Sequence, residues 1–417
     1  MLKKIAFVIA LCSSVLSWAD ELNYQNQVFD TKVKTVQLMK QGTDDRYPII
    51  SLSSGEQLEL SFDMLGAKNE YFQYTIVHCD ANWKPTPLNQ NEYIKGITFD
   101  NITDFKFSTN TYVKYVHYSL MLPNENMKPG IAGNYLIKVY RNFDEEDLVL
   151  TRRMMVLNAA TSIEATVKQS SLAQYRYSKQ EVGFSVNYKG FTMPDPYKDV
   201  TVTILQNNRW DNCITGIKPL FIRDNTLDYN YFDQTLFLGG NEFRFFDMRS
   251  LRQFSQNVRA KTLDSTYHCY LNYDETRGSK QYTYYFDYNG KRIVANKDGQ
   301  NGGIDGDYAW VTFYLLSLNQ LPDDVYVYGE FTDWQLLPEY KMYYNKSRLR
   351  YELDAQLKQG RYEYKYANKT AEGATDDTML EGNYSQAENE YLILIYHRNI
   401  QYKYDELIGS RIVKAQF

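Results

Sequence analysis

The sequence predicts an all-β protein built as three β-sandwich (Ig-like or early-set) domains in series. Three observations predict it. Apolar and polar residues alternate with a period of two through most of the chain. Turn residues interrupt that alternation at short, even spacing. The 417 residues include 39 tyrosines and 21 phenylalanines, side chains that favour pleated, half-buried surfaces.

The first twenty residues stand apart. Lys3 and Lys4, the apolar run Ile5–Leu16 and the small-x-small pattern Ser17-Trp18-Ala19 have the anatomy of a secretory signal peptide, with cleavage expected after Ala19. Its removal takes the two lysines away and shifts the net charge from −5 to −7. A mildly acidic chain without basic clusters is a poor nucleic-acid binder. Three cysteines then remain, Cys79, Cys213 and Cys269. An odd number cannot close a disulfide framework. One bridge, Cys213 to Cys269, and three buried thiols are both open readings.

The first sandwich is expected over 20–160. In YFQYTIVHC, Phe72, Tyr74, Ile76 and His78 share one face, and Thr75, Val77 and Cys79 the other. TYVKYVHYSLML, YLIKVYRN and DLVLTRRMMVL supply further strands. Of the pair Arg152-Arg153, one arginine is expected in solvent and the other on a carboxylate. The middle sandwich is expected over 161–305, from SIEATVKQ, EVGFSVNY and DVTVTILQNN through the more irregular GGNEFRFFDMRS, YHCYLNY and YTYYFDY. NKDGQNGGIDGD (296–307) reads as a flexible connector; it lacks calcium-loop spacing. The third sandwich, 306–400, takes AWVTFYLLS, DVYVYGEF, YELDA, RYEYKYA and EYLILIYHR, with 401–417 as a tail. Tyr362, Tyr364 and Tyr366 alternate with Arg361, Glu363 and Lys365, the pattern of a half-exposed sheet.

HCDANWKPTPL (78–88) concentrates the chemistry-bearing residues. Two of the four histidines sit in His-Cys dipeptides, His78-Cys79 and His268-Cys269. Strand neighbours point to opposite faces, so each dipeptide offers a shared zinc site one ligand at most. A Cys79 nucleophile needs a base, and only His117 could approach it across a sheet. The familiar hydrolase, metalloprotease and nucleotide-binding motifs are absent. No catalytic or metal site is singled out. Trp83, on a Pro-rich corner, suits a cap on the sandwich core or, with Trp210 and Phe243, Arg244 and Phe246, a partner surface.

VYVYGEFTDWQ followed by LKQGRYEYKY is similar to the starch- and glycogen-binding early-set modules. That likeness implies Trp334, Tyr364 and Tyr366 as a sugar platform, and a glycan-binding protein as the alternative function. A wider resemblance runs through most of the chain. HCDANWKPTPLNQNEYIKG, STNTYVKYVHYSLMLPN, GNYLIKVY, LTRRMMV, GGNEFRFFD, DYNGKRI, VYVYGEFTDW, EGNYSQAENEYLILIYHR and YKYDELIG occur in that order. Together they resemble the plug proteins of the Bacteroidetes type IX secretion system. The resemblance implies a periplasmic, non-enzymatic protein without a cofactor. It implies a seat at the inner mouth of a giant outer-membrane translocon barrel of the SprA or Sov type, closing the pore between transport events.

Overall fold

The computed structural model describes residues 22–43, 45–370 and 373–415; the expected signal peptide lies outside them. The described residues form sheets throughout, joined by turns and a few single-turn helices.

The first sandwich faces a four-stranded sheet (Val33–Lys40, Leu58–Leu65, Tyr115–Leu122, Asp104–Phe107) against strands Asp144–Leu157, Gly133–Arg141, Gln73–Cys79 and Asp100–Asn101. The alternation in YFQYTIVHC does what its period requires. Phe72, Tyr74 and Ile76 enter the core with Phe62 and Tyr118, and the rings of Phe62 and Tyr118 stack 5.1 Å apart. Cys79, one step out of phase, faces a different apolar cluster.

In the second sandwich, Ser162–Gln169, Lys179–Asn187, Thr226–Asp228, Phe221–Arg223 and Leu236–Leu238 form one sheet. The opposing layer holds Val200–Gln206 and Ile214–Thr215, and two strands from the far end of the chain complete it. Glu390–Asn399 pairs antiparallel with Val200–Gln206, and Tyr404–Lys414 pairs with Glu390–Asn399. These strands, expected in the third unit and the tail, thus belong to the second core. The cause is legible in YLILIY, which is apolar on both faces. Tyr391, Ile393 and Ile395 fill the second core, while Leu392, Leu394 and Tyr396 pack on Cys79, Leu136 and Met155 from the first sandwich. A parallel contact between Leu157 and Leu407 makes the two layers one ten-stranded sheet.

The third sandwich is inserted between Leu238 and Glu390. Its strands Arg244–Asp247 and Arg292–Val294, expected in the middle unit, flank Gly360–Lys369. Val258–Leu263 and Tyr267–Leu271 likewise join Tyr308–Leu316 and Arg350–Lys358. Phe246, Phe313, Tyr362, Tyr364 and Tyr366 form its core. The charged face of RYEYKY is covered rather than half-exposed: Glu363 is 0 % and Lys365 4 % exposed. Glu363 accepts the Tyr288 and Gly290 amides, and Lys365 lies over the Phe243 ring.

Candidate functional site

The chemistry-bearing residues of this fold gather where the sandwiches meet. At one contact, Lys358 of the third sandwich places Nζ 2.6 Å from Oδ2 of Asp63 on strand Leu58–Leu65, both side chains 1 % exposed. His117 meets the other carboxylate oxygen at 2.6 Å. Tyr308 donates its hydroxyl to Asp63 at 2.7 Å, and Thr35 completes the chain at 2.6 Å from the Tyr308 oxygen. Lys358 also donates to the Gly303 carbonyl and lies 4.1 Å from the centre of the Tyr115 ring. Burial pushes the Lys358 ammonium below its usual pKa, and Asp63 opposes that shift. A buried ion pair of this kind holds two bodies in one geometry, because separating them strands a charge.

The segment 296–307 belongs to this contact and is a clasp, not a loose connector. Asp307 accepts the Tyr112 and Val113 amides at 2.6 and 3.0 Å. Thr109 donates to the Ile304 carbonyl, and Tyr115 to that of Gly306. The Asp305 carboxylate is filled by the amides of Gln300 and Asn301 and the side chain of Asn296, and Asp298 by Ser250 and Leu251.

At a second contact all three sandwiches border a cleft of about 250 Å³. Arg152 reaches Asp333 at 3.1 Å. Arg46 places Nη1 3.1 and 3.2 Å from the two oxygens of Glu330, and Gln335 donates to the Asn26 carbonyl. Arg153 lies over the rings of Trp83 and Trp210, 4.4 and 4.9 Å from their centres, and donates Nε to the Tyr24 carbonyl. Burial lowers its pKa to about 10. The expected division of the arginine pair therefore holds for Arg152 alone: Arg153 is half-buried against both indoles. Cation–π contacts of this kind strengthen as water is excluded.

The residues singled out in the sequence are mostly interior. His78 and Cys79 point to opposite faces of their strand. His78 sits among Tyr93, Tyr135 and Tyr404, and burial lowers its pKa to about 4. Burial pushes the Cys79 thiol up to about 12, the reverse of what a nucleophile needs. His117 is engaged by Asp63, not Cys79. Cys269 lies in the third core and Cys79 between the first two, so the His-Cys dipeptides are not brought together. Cys79, Cys213 and Cys269 are free thiols.

The residues expected on a partner surface are also largely covered. Trp83 is 4 %, Phe243 2 % and Phe246 0 % exposed. Trp210 packs edge-on to Trp83, and Arg244 bonds Glu381 and Asp274. The expected sugar platform faces inward as well. Tyr364 and Tyr366 both donate their hydroxyls to Asp274. Trp334, 8 % exposed, packs against Phe243 and Tyr328. A Cβ on Gly290, which holds φ +81°, would sit 2.3 Å from the Trp334 ring, so glycine is required there.

Residues 33–158, essentially the first sandwich, match the family model described as the type 9 secretion system plug protein first domain. The chain belongs to the type 9 secretion system plug family. Among solved structures it is similar to a hypothetical protein from Parabacteroides merdae ATCC 43184. The two are 32 % identical with a TM-score of 0.91, over 95 % of this chain and 100 % of that one. No curated protein is significantly similar to it.

This plug-family chain also carries an outward surface that lies outside the residues expected from the sequence. From Gln281 to Tyr288 the backbone runs outside the sheets and turns Tyr284, Phe286 and Tyr288 to solvent, at 55, 59 and 38 % exposure. The signal was present as the period of two in YTYYFDY. Three buried carboxylates fasten this aromatic ridge. Glu242 accepts the Tyr282 hydroxyl at 2.5 Å, Asp287 the Phe243 amide at 2.5 Å, and Glu363 the Tyr288 and Gly290 amides.

Burial, with Asp287 close by, raises the Glu242 pKa to about 7. Its folded pKa thus exceeds the unfolded value of about 4.3, so the folded state holds the extra proton between them. Stability contributed here falls as pH rises from about 4.3 to about 7. Glu242→Gln, which keeps an acceptor for Tyr282, is expected to flatten that part of the pH profile, read as the shift of the thermal midpoint between pH 5 and pH 8.

Proposed function

We propose that the protein closes the periplasmic end of the outer-membrane translocon pore of the type 9 secretion system, acting as a steric stopper without catalysis or cofactor. The observation that carries the reading, beside the family, is the way the sandwiches are joined. A stopper must keep its shape under load. Here one sheet passes through two sandwiches, and the third is bolted to the first by a buried Lys358–Asp63 pair and by the Arg152–Asp333 and Arg46–Glu330 pairs. A compact chain of this length is roughly 55 Å across by ordinary size scaling, suited to blocking a wide opening.

Closure has to be reversible, which favours a modest contact over an obligate one. The ridge Tyr284, Phe286 and Tyr288 serves as that contact in this reading: aromatic side chains on a fastened segment give contact area at small entropic cost. Interface aromatics cost about 1–2 kcal/mol or more each when truncated. Tyr284→Ser combined with Phe286→Ser is therefore expected to reduce co-purification of the barrel from gently solubilised outer membranes by about tenfold or more, with the thermal midpoint unchanged. Undiminished recovery places the contact elsewhere. The glycan-binding alternative lacks its platform, since Trp334, Tyr364 and Tyr366 are all under 9 % exposed.

A further inference from the structure

We propose that the cleft between the three sandwiches is a receptor for a carboxylate carried on an apolar peptide segment, gripped by Arg292 beside the Arg152–Asp333 pair. The inference is independent of pore closure.

The charge in the cleft does not balance among the described residues. Arg46, Arg152, Arg153 and Arg292 line it together with Glu330, Asp333 and Asp211. Asp211 is already held by Arg209 at 2.6 Å. Glu330 is taken by Arg46 and Asp333 by Arg152. Arg153 is accounted for by two indole faces and a carbonyl. Arg292 is left with the Val36 carbonyl for one terminal nitrogen, and its Nε, buried, meets no hydrogen-bond partner among the described residues. The side chain as a whole is 7 % exposed. A buried guanidinium without a counter-ion is costly, and a planar guanidinium with no carboxylate partner is the group that takes one.

Shape narrows the class of ligand. A second cavity of about 280 Å³ adjoins the first, and Arg152, Arg292 and Asp333 line both. The pair thus has room for one or two side chains on either side of the arginines. Val36, Leu38, Met39, Pro48 and Trp210 supply apolar wall to the first. A free inorganic anion leaves that wall unused. An aspartate or glutamate next to a leucine or phenylalanine uses both parts.

The test titrates the full mature chain with Ac-Leu-Glu-Phe-NH2, with its amide counterpart Ac-Leu-Gln-Phe-NH2 and with inorganic phosphate, by calorimetry and by the fluorescence of Trp210 and Trp83. The acidic peptide is expected to bind, the amide peptide at least about tenfold more weakly, consistent with loss of a charge-assisted pair. Arg292→Met is expected to weaken the acidic peptide by a similar factor and leave the amide peptide unchanged. Arg292→Met also loses the bond to Val36. A second variant, Asp333→Asn, therefore guards against misfolding: it frees Arg152 and is expected to tighten acidic-peptide binding several-fold. Equal binding of the two peptides, no binding of either, or indifference to both substitutions overturns the proposal. Phosphate binding that depends on Arg292, without peptide binding, assigns the arginines to a free oxyanion and overturns the peptide assignment.

Discussion

Asp63→Ala is expected to lower the stability of the protein by about 3–5 kcal/mol, the usual cost of removing one member of a buried pair. The loss comes less from the missing attraction than from Lys358, left charged in a site that is 1 % exposed. Tyr308 and His117 lose their acceptor in the same step. Asp63→Leu with Lys358→Met, which removes both charges and fills the space, is expected to restore much of the stability. Denaturant unfolding followed by fluorescence separates the two results. Three sandwiches need not unfold in one step, so the first transition is the one to compare. A single substitution that costs under about 1 kcal/mol would mean that water reaches Lys358, and that this contact is no bolt.

The second large effect lies inside the third sandwich. Glu381 is fully buried yet ionised. Burial raises its pKa, but Arg244 and Arg277 outweigh burial and hold it at about 2, with Arg244 Nε at 3.0 Å, Arg277 Nη2 at 2.6 Å and the Tyr366 amide at 2.9 Å. Glu381→Ala leaves Arg277 without a carboxylate and Arg244 with Asp274 alone, and is expected to cost about 3–5 kcal/mol. The pH dependence follows from the lowered folded pKa. The contribution is present above the unfolded value of about 4.3 and is lost as pH falls toward 2. The wild-type third sandwich should therefore weaken over that range, and the variant should lack that component. Stability of the variant within about 1 kcal/mol of wild type would show that the arginines find other partners.

What the sequence discloses depends on the range of the interaction. Period-two runs such as YFQYTIVHC set both the strand and the faces of its side chains, because that information is local. EYLILIYHR is equally legible as a strand, but its partner Val200–Gln206 lies across a whole inserted sandwich, and adjacency in sequence assigns it to the wrong neighbour. Its apolar character on both faces marks a strand buried between two cores, a clue to the ten-stranded sheet. The corner at Trp83 is readable as packing, whereas its partner Arg153 is not, since a half-buried arginine lying against two indoles looks like any strand arginine. Asp63 in LELSFDML and Lys358 in QLKQG are single charges in apolar surroundings, and only the docking of two sandwiches makes them a pair. NKDGQNGGIDGD has the composition of a linker because turns that feed amides to Asp305 and Asp298 need the same residues.

The central claim is that this body closes a pore. The most direct measurement is the ionic conductance of the purified translocon barrel in a planar bilayer, recorded before and after the protein is added to the periplasmic side. Pore closure predicts a large open conductance that falls to near zero at stoichiometric addition and returns with the Tyr284→Ser/Phe286→Ser variant. Stable binding of the wild-type protein with the conductance unchanged would contradict it.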